Sequence, residues 1–259
     1  MAWTASREIT LKIILSRKGF DSTSGGAPSP IIDGAPISLP IPSGKYPSMS
    51  TYGMLDLGDI VSRVNRKWTA DTLCHEDPMF WDDRCAFGQR GAAQSHLETH
   101  KVGIGDVFLF FGLFAESGRD PHHRIFAYLL VEDVQKVGSH PCGDEAGRTP
   151  RRHPHTIEKW DAGGKWDANN TLYLGRGAKA RKAHPSLRLT KPGGPASDWL
   201  VPPWLRRTEL TYHKQPWRWL EDGTLRVVGR GQEFVAEVRD SPEPKMWLDE
   251  MIAAIGTDE

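Results

Sequence analysis

The sequence GIGDVFLFFGLF, at residues 103–114, is followed after a polar turn by RIFAYLLVEDV, at residues 124–134. Valine, isoleucine and aromatic residues dominate both stretches, and these residue types favour strands on a pleated, half-buried surface. Glycine, aspartate and proline between the stretches are typical of a turn. The sequence therefore predicts a central β-hairpin that is buried on at least one face.

Weaker patterns surround this hairpin. Residues 31–39 read as two short strands around the Asp33-Gly34 turn. Apolar side chains recur every three or four residues from Tyr52 to Trp68 and again from Pro244 to Ile255, and each pattern predicts an amphipathic helix. Further short strands are predicted at residues 171–174, 186–189, 210–212, 224–228 and 233–238. Together these elements predict an α+β fold, with a β-dominated mixed sheet or barrel and a few flanking helices.

Length and composition limit the class of protein. The 259 residues are 38% hydrophobic and 25% charged, which is ordinary for a globular protein, and we expect a single domain over 1–259 with a Gly-, Pro- and His-rich excursion at 138–170. No apolar run reaches the roughly 18 residues of a membrane span. Three cysteines without a Cys-x-x-Cys pair favour a reducing compartment. We therefore expect a cytoplasmic protein without a membrane partner.

Charge is balanced overall but unevenly distributed. The 33 basic and 33 acidic residues cancel, yet residues 176–219 hold ten basic and two acidic side chains together with four tryptophans. Basic side chains such as Arg188 can neutralise phosphates, while an indole such as Trp199 can stack on an exposed base. The alternative is packing, since tryptophan is highly buried on average. We predict Arg188 and Trp199 as nucleotide-binding residues.

A polar loop, SRKGFDSTSGGAPSP at residues 16–30, directly follows an apolar strand-like run at 11–15. Arg17 and Lys18 are placed to bind phosphate, and the backbone amides of Gly25 and Gly26 could form an anion-binding nest. The order of residues required for a nucleotide-triphosphatase P-loop is absent. The alternative is an ordinary surface loop.

The same loop contains the residues predicted to be catalytic. Asp21 could act as a base or hydrogen-bond acceptor, and Ser22 lies beside it. Much later in the chain, Gln232 enters a predicted strand and could read a base edge through its paired donor and acceptor. Its alternative role is to satisfy buried backbone groups.

Two histidine-bearing segments are candidate metal sites. His75, Glu76 and Asp77, with Asp82 and Asp83 close behind, could bind a divalent cation or act as an acid–base pair, but they also fit a solvated loop in which Asp77 caps a helix that starts at Pro78. His153 and His155 could meet one zinc ion only on an extended strand, and no standard zinc spacing is present. We assign no residue to a metal, and the cofactor is unknown.

Taken together, several segments resemble the nucleotide modification associated domain 3 family of bacteria and phages. The matching segments are 15–22, 26–31, 105–112, 187–190 and 231–234. The resemblance implies an association with DNA base modification or its recognition, without assigning a reaction to named residues. The central hairpin is also similar to the barrel of PUA-like and EVE-like readers of modified bases, in which a pocket receives a flipped base. A PUA-like barrel is therefore the alternative to an open sheet.

These observations lead to one functional expectation and one rival. We expect a protein associated with nucleotide or base modification of phage or bacterial DNA, binding a nucleotide or base in a composite pocket. The rival is a non-catalytic PUA-like reader of modified bases in a restriction or phage-defence system. The expected partners are DNA or a nucleotide, and other DNA-modification or restriction proteins. Whether the protein is an enzyme stays open.

Overall fold

The predicted aromatic hairpin forms the middle of the sheet in the computed structural model. Strand β6 (Val107–Glu116) pairs antiparallel with β7 (Arg119–Lys136), and Ser117 and Gly118 turn the chain with φ values of 49° and 74°. The structure describes residues 11–44, 48–138, 148–157, 167–229, 233–238 and 241–257. The prediction of this hairpin is confirmed.

The remaining elements are mostly short. The other strands are β1 (Leu11–Arg17), β2 (Ser29–Ile32), β3 (Ala35–Pro36), β4 (Met79–Trp81), β5 (Arg84–Gln89), β8 (Thr171–Lys179), β9 (Asp198–Leu200), β10 (Thr224–Arg226) and β11 (Glu233–Val238). The α-helices of the described residues are α1 (Gly58–Val64), α2 (Gly91–Thr99), α3 (Pro203–Arg207) and α4 (Pro242–Gly256). None of these helices has both the length and the apolar composition needed to cross a bilayer.

Nine strands form one mixed sheet. Its order is β11-β1-β6-β7-β8-β5-β4, with β2 paired to β6 beyond the end of β1 and β3 paired to β2. Strands β1 and β2 run parallel to β6, and the other pairs are antiparallel. Within the described residues the outer strands β11 and β4 do not pair with each other, so the sheet is not a closed barrel. The α+β mixed sheet is confirmed, and the barrel alternative is wrong.

Both faces of the central strands are covered. On β6, Val107, Leu109 and Phe111 belong to a core packed beneath α3 and α4, while Phe108 and Phe110 belong to a second core with α2 and β5. Strand side chains alternate between faces, so a strand that is buried on both sides must be apolar at successive positions. This explains why the central sequence is continuously hydrophobic rather than alternating.

Of two local predictions, one is confirmed and the other is wrong. The hairpin at 31–39 is confirmed, because β2 and β3 pair around Asp33 and Gly34, whose φ values are 50° and 77°. The long helix predicted from Tyr52 to Trp68 is wrong. Only α1 is α-helical, since a 3-10 turn at Gly53–Leu55 ends at Asp56 in the left-handed conformation. The chain there packs a small separate core, which includes Tyr52, instead of presenting one amphipathic face.

The strand spacing around β8 depends on a glycine. A Cβ atom on Gly175 would lie 1.9 Å from the carbonyl oxygen of Leu130 and 2.9 Å from the amide of Glu132, both on β7. We therefore expect Gly175→Ala to lower the free energy of unfolding by about 1–3 kcal/mol, the usual cost of overpacking. Urea unfolding measures this difference. Gly103→Ala is the control, because its Cβ would meet nothing within 4 Å, and equal losses in both variants would contradict the prediction.

Candidate functional site

A cleft of about 780 Å³ opens beside the end of the sheet. Its walls come from β3, from the end of β8, from β4 with Phe80 and Trp81, and from the 3-10 turn at Gly53–Leu55. Lys18, at the start of the polar loop after β1, reaches the same cleft as Asp77, which precedes β4. The cleft therefore joins segments that are distant in the sequence.

Asp77 is the centre of a cluster with three histidines. Its Oδ1 atom accepts a hydrogen bond from the amide of Gly88 at 2.9 Å and lies 3.3 Å from Nε2 of His153. Its Oδ2 atom lies 3.8 Å from Nε2 of His75 and 3.7 Å from Nε2 of His155. One carboxylate oxygen is thus held by the protein, while the other lies near two imidazoles.

The segment around His155 explains how its ring is oriented. His155 Nδ1 lies 2.7 Å from Oδ1 of Asn170, whose Nδ2 donates to the carbonyl of His155 at 3.0 Å. A Cβ atom on Gly88 would lie 2.3 Å from Cγ of His155, so only glycine lets this ring lie against β5. His153 Nδ1 accepts from the amide of His155 at the start of a 3-10 turn.

The charge states of the cluster follow from its environment. Burial lowers the pKa of His75 to about 4 and that of His155 to about 3. Burial alone would raise the pKa of Asp77, but contact with His153 and the charges of the other histidines outweigh it and lower that pKa. At neutral pH an ionised Asp77 therefore faces the neutral imidazoles of His75 and His155, an arrangement that suits a divalent metal.

A buried ion pair lies next to this cluster. Lys18 Nζ is 3.1 Å from Oε1 of Glu233 and 4.3 Å from the centroid of the Phe87 ring. The same Glu233 oxygen accepts hydrogen bonds from Ser16 Oγ at 3.2 Å and from Gln89 Nε2 at 3.0 Å. The charge of Lys18 contributes to the lowered pKa of His75, so the two clusters are electrostatically connected.

A second ion pair attaches the 148–157 segment to the cleft. Both oxygens of Glu76 accept from the Arg151 guanidinium, with 3.0 Å between Nε and Oε2, and Ser50 Oγ also donates to this carboxylate. Two-pronged arginine–carboxylate pairs are strongly oriented. This pair thus helps to bring His153 and His155 to Asp77.

A model of the nucleotide modification associated domain 3 family matches residues 12–237. The chain belongs to this family. Every residue of the two clusters lies within the matched range. Comparisons with curated proteins and with solved structures find no significant match.

Arg17 and Lys18, the loop residues predicted to bind phosphate, lie in different environments. Lys18 lines the cleft, but its charge is paired with Glu233. Arg17 donates to the carbonyls of Gly229 at 2.9 Å and Val228 at 3.0 Å, and burial lowers its pKa. Arg17 therefore joins β1 to the segment before β11.

The carboxylate of Asp21 is held by amides of its own loop that precede the nest predicted at Gly25 and Gly26. Asp21 Oδ1 accepts from the amides of Thr23 at 2.8 Å and Ser24 at 2.6 Å, while the amide of Gly26 donates to the Asp21 carbonyl. The Gly25 carbonyl accepts from side chains on the α1 side of the cleft. Ser22 is exposed beside this turn. These contacts give Asp21, Gly25 and Gly26 a role in shaping the loop.

Two predicted residues of the C-terminal half, Trp199 and Arg188, do not line the cleft. Trp199 is fully buried, with its ring centroid 4.8 Å from that of Phe111, so it is part of the core and offers no face to a base. Arg188 makes two hydrogen bonds to Asp120 in a separate cleft of about 760 Å³. Gln232 lies outside the described residues.

The sequence assigns no residue to a metal, whereas the structure brings His75, Asp77 and His155 together. The sequence contains a signal for this cluster, because a single residue separates His75 from Asp77 and a single residue separates His153 from His155. Nothing in that spacing says that the two segments meet. Their approach depends on the Glu76–Arg151 pair and on the packing of His155 against Gly88.

Proposed function

We propose that the cleft binds a nucleotide, or a base flipped out of DNA, and that the protein acts in the modification of phage or bacterial DNA. Membership of the nucleotide modification family supports this assignment. The volume of about 780 Å³ falls within the range of roughly 300–1,000 Å³ that is typical of small-molecule sites. The cleft is thus large enough for a nucleotide.

The side chains of the cleft match the parts of a nucleotide. Trp81 is partly exposed on its wall and can stack on a base, while the exposed Lys179 lies with its Nζ 6.0 Å from the Phe80 ring and can neutralise a phosphate. Asp77 is ionised and can accept a hydrogen bond from a base amino or imino group. The meeting of Asp77, Lys18 and Trp81 on one cleft is the observation that carries the proposal.

A non-catalytic reader of modified bases is the second candidate, and the state of Lys18 favours it. Lys18 is in direct ion pairing with Glu233, so its ammonium group is neither a nucleophile nor a base in this arrangement. In a reader, both clusters would give the pocket its shape and charge without reacting. The partners would then be other DNA-modification or restriction proteins.

Trp81→Leu is expected to weaken binding of a deoxynucleotide or short single-stranded DNA by about 10-fold or more. Loss of stacking between a base and the indole costs roughly 1–3 kcal/mol of binding free energy. Leucine retains the apolar packing beneath the side chain at position 81. Isothermal titration calorimetry measures the affinities. The matched control is Trp217→Leu, since Trp217 is 61% exposed and lies outside the cleft. Unchanged affinity in Trp81→Leu, or the same loss in both variants, would contradict the proposal.

One further measurement separates the enzyme from the reader. DNA from cells with and without the gene is digested to nucleosides and compared by mass spectrometry. A new nucleoside that disappears with Asp77→Asn supports an enzyme. Unchanged nucleosides, together with tighter binding of modified than of unmodified DNA, support a reader.

A further inference from the structure

We propose that His75, Asp77 and His155 form a binding site for one divalent transition-metal ion of the zinc or ferrous class. The ligand atoms are Nε2 of each histidine and Oδ2 of the aspartate. The site goes beyond nucleotide binding and does not depend on it.

The spacing of these atoms is that of metal ligands rather than of hydrogen-bond partners. All three lie within 4.8 Å of one another, with Asp77 Oδ2 at 3.8 Å from His75 and 3.7 Å from His155. Nitrogen–oxygen hydrogen bonds require about 3.2 Å or less. Ligand atoms that each bind zinc at about 2.1 Å lie about 3.4 Å apart in tetrahedral geometry. Asp77 Oδ2 would approach each histidine nitrogen by a few tenths of an ångström, and the two histidine nitrogens, which lie within 4.8 Å of each other, would close to the same separation.

The surrounding contacts orient the ligand atoms toward one point. Asn170 donates through Nδ2 to the His155 carbonyl, so its Oδ1 is the acceptor for Nδ1–H of His155. His155 is thereby fixed in the tautomer whose Nε2 lone pair lies on the Asp77 side. Metal-binding histidines usually donate their other N–H to a neighbouring acceptor in this way.

Neighbouring polar groups also orient the carboxylate of Asp77. Gly88 N–H donates to Oδ1 of Asp77. His153 Nδ1 accepts from a backbone amide, so Nε2 of that ring carries the proton, and it lies 3.3 Å from the same Oδ1 atom. The Gly88 amide thus occupies Oδ1, and Oδ2 lies on the side of His75 and His155. His153 is a positioning residue in this arrangement and not a ligand.

Charge also favours a cation here. The ligand set offers one carboxylate and two imidazoles, a combination of groups that binds divalent cations. The cations that face His75 are Lys18 and Arg90, and each is paired, with Glu233 at 3.1 Å and Asp167 at 3.2 Å respectively. Their charges are therefore largely compensated.

The ligand set also indicates the class of metal. Two imidazoles and one carboxylate suit zinc or ferrous iron, and three protein ligands leave coordination positions for water or substrate. Because Asp77 lines the cleft, an ion at this point would lie at the wall where a nucleotide is proposed to bind. A metal there would supply a Lewis acid to the cleft.

The test measures metal binding directly. Chelator-treated full-length protein is titrated with Zn²⁺, and separately with Co²⁺, whose visible absorption reports nitrogen and oxygen ligands in a low-symmetry site. Wild-type protein is expected to bind one equivalent of each ion. Asp77→Asn and His75→Gln are expected to bind at least about 100-fold more weakly, a larger loss than the 10–100-fold typical of an outer partner.

Controls keep the result interpretable. Asp83→Asn removes an exposed carboxylate that lies outside the cluster and should bind as wild type does. Thermal unfolding without metal identifies a variant that does not fold, and the other ligand variant then decides. Wild-type protein that binds no ion, or equal affinity in wild type and both ligand variants, would overturn the proposal. The readout involves no nucleotide, so failure of nucleotide binding is a separate result.

Discussion

Lys18→Met is expected to lower the free energy of unfolding by about 3–5 kcal/mol, because it leaves the carboxylate of Glu233 buried without its counter-ion. The side chain of Glu233 is 1% exposed, and among the described residues Ser16 and Gln89 also donate hydrogen bonds to it. Two neutral hydrogen bonds do not replace a full positive charge in a low-dielectric environment. The loss is measured by urea unfolding with linear extrapolation.

Two comparisons test the cause of this loss. Adding Glu233→Gln to Lys18→Met should recover about half or more of the stability, because glutamine carries no charge and still accepts from Ser16. Lys191→Met is the matched control, since Lys191 and its partner Asp222 are 44% and 49% exposed, and its loss should stay below about 1 kcal/mol. If the double variant were as unstable as Lys18→Met, an unpaired charge would not be the cause.

Stability is also expected to fall steeply as the pH drops from about 6.5 to 4.5. Burial lowers the pKa of His123 to about 3 and that of His213 to about 4 in the folded protein. An unfolded chain protonates histidine near pH 6.5, so it binds more protons than the native state below that pH. The contribution of the two neutral histidines to the free energy of unfolding is therefore complete above pH 6.5 and is lost on acidification. For these two residues together the loss is about 4 kcal/mol.

Specific hydrogen bonds support the neutral form of both rings. His213 Nε2 accepts from the Val228 amide at 3.2 Å, and His123 Nδ1 accepts from the Trp199 indole at 3.0 Å. Arg17 and Arg218 lie near His213 and further oppose its protonation. Acidification would therefore remove an acceptor as well as add a buried charge.

Urea unfolding at half-unit pH intervals measures this dependence. His213→Gln retains an oxygen that can accept from Val228 but cannot gain a proton. It should therefore reduce the slope by up to about 1.4 kcal/mol per pH unit. Parallel pH profiles for the variant and wild type would show that His213 does not contribute.

Local patterns account for the elements that were predicted correctly. The aromatic run of β6 and the Asp33-Gly34 turn each depend on residues adjacent in sequence, so composition and turn chemistry identify them. The helix predicted from Tyr52 to Trp68 failed because periodicity cannot show that Asp56 adopts φ 58° or that the flanking apolar groups pack around Tyr52. Tertiary packing therefore determines the conformation of residues 52–68.

The site was harder to predict, because its parts meet only in three dimensions. Lys18 was selected for phosphate binding, yet its partner Glu233 is 215 residues away and no local signal links them. His75 and Asp77 were noticed separately from His153 and His155, and either segment alone fits a surface loop. Trp199 was chosen for its indole, but sequence does not distinguish a stacking tryptophan from a core one.

The pairing of β11 with β1 also affects when the site first exists during synthesis. A growing polypeptide that has reached residue 229 already contains Lys18, Asp77 and both proposed histidine ligands, but not Glu233. Until β11 emerges from the ribosome and joins the sheet, Lys18 has no buried counter-ion and its position beside the cleft is not maintained. The Lys18 side of the cleft is therefore completed only after residues 233–238 have left the ribosome and paired with β1.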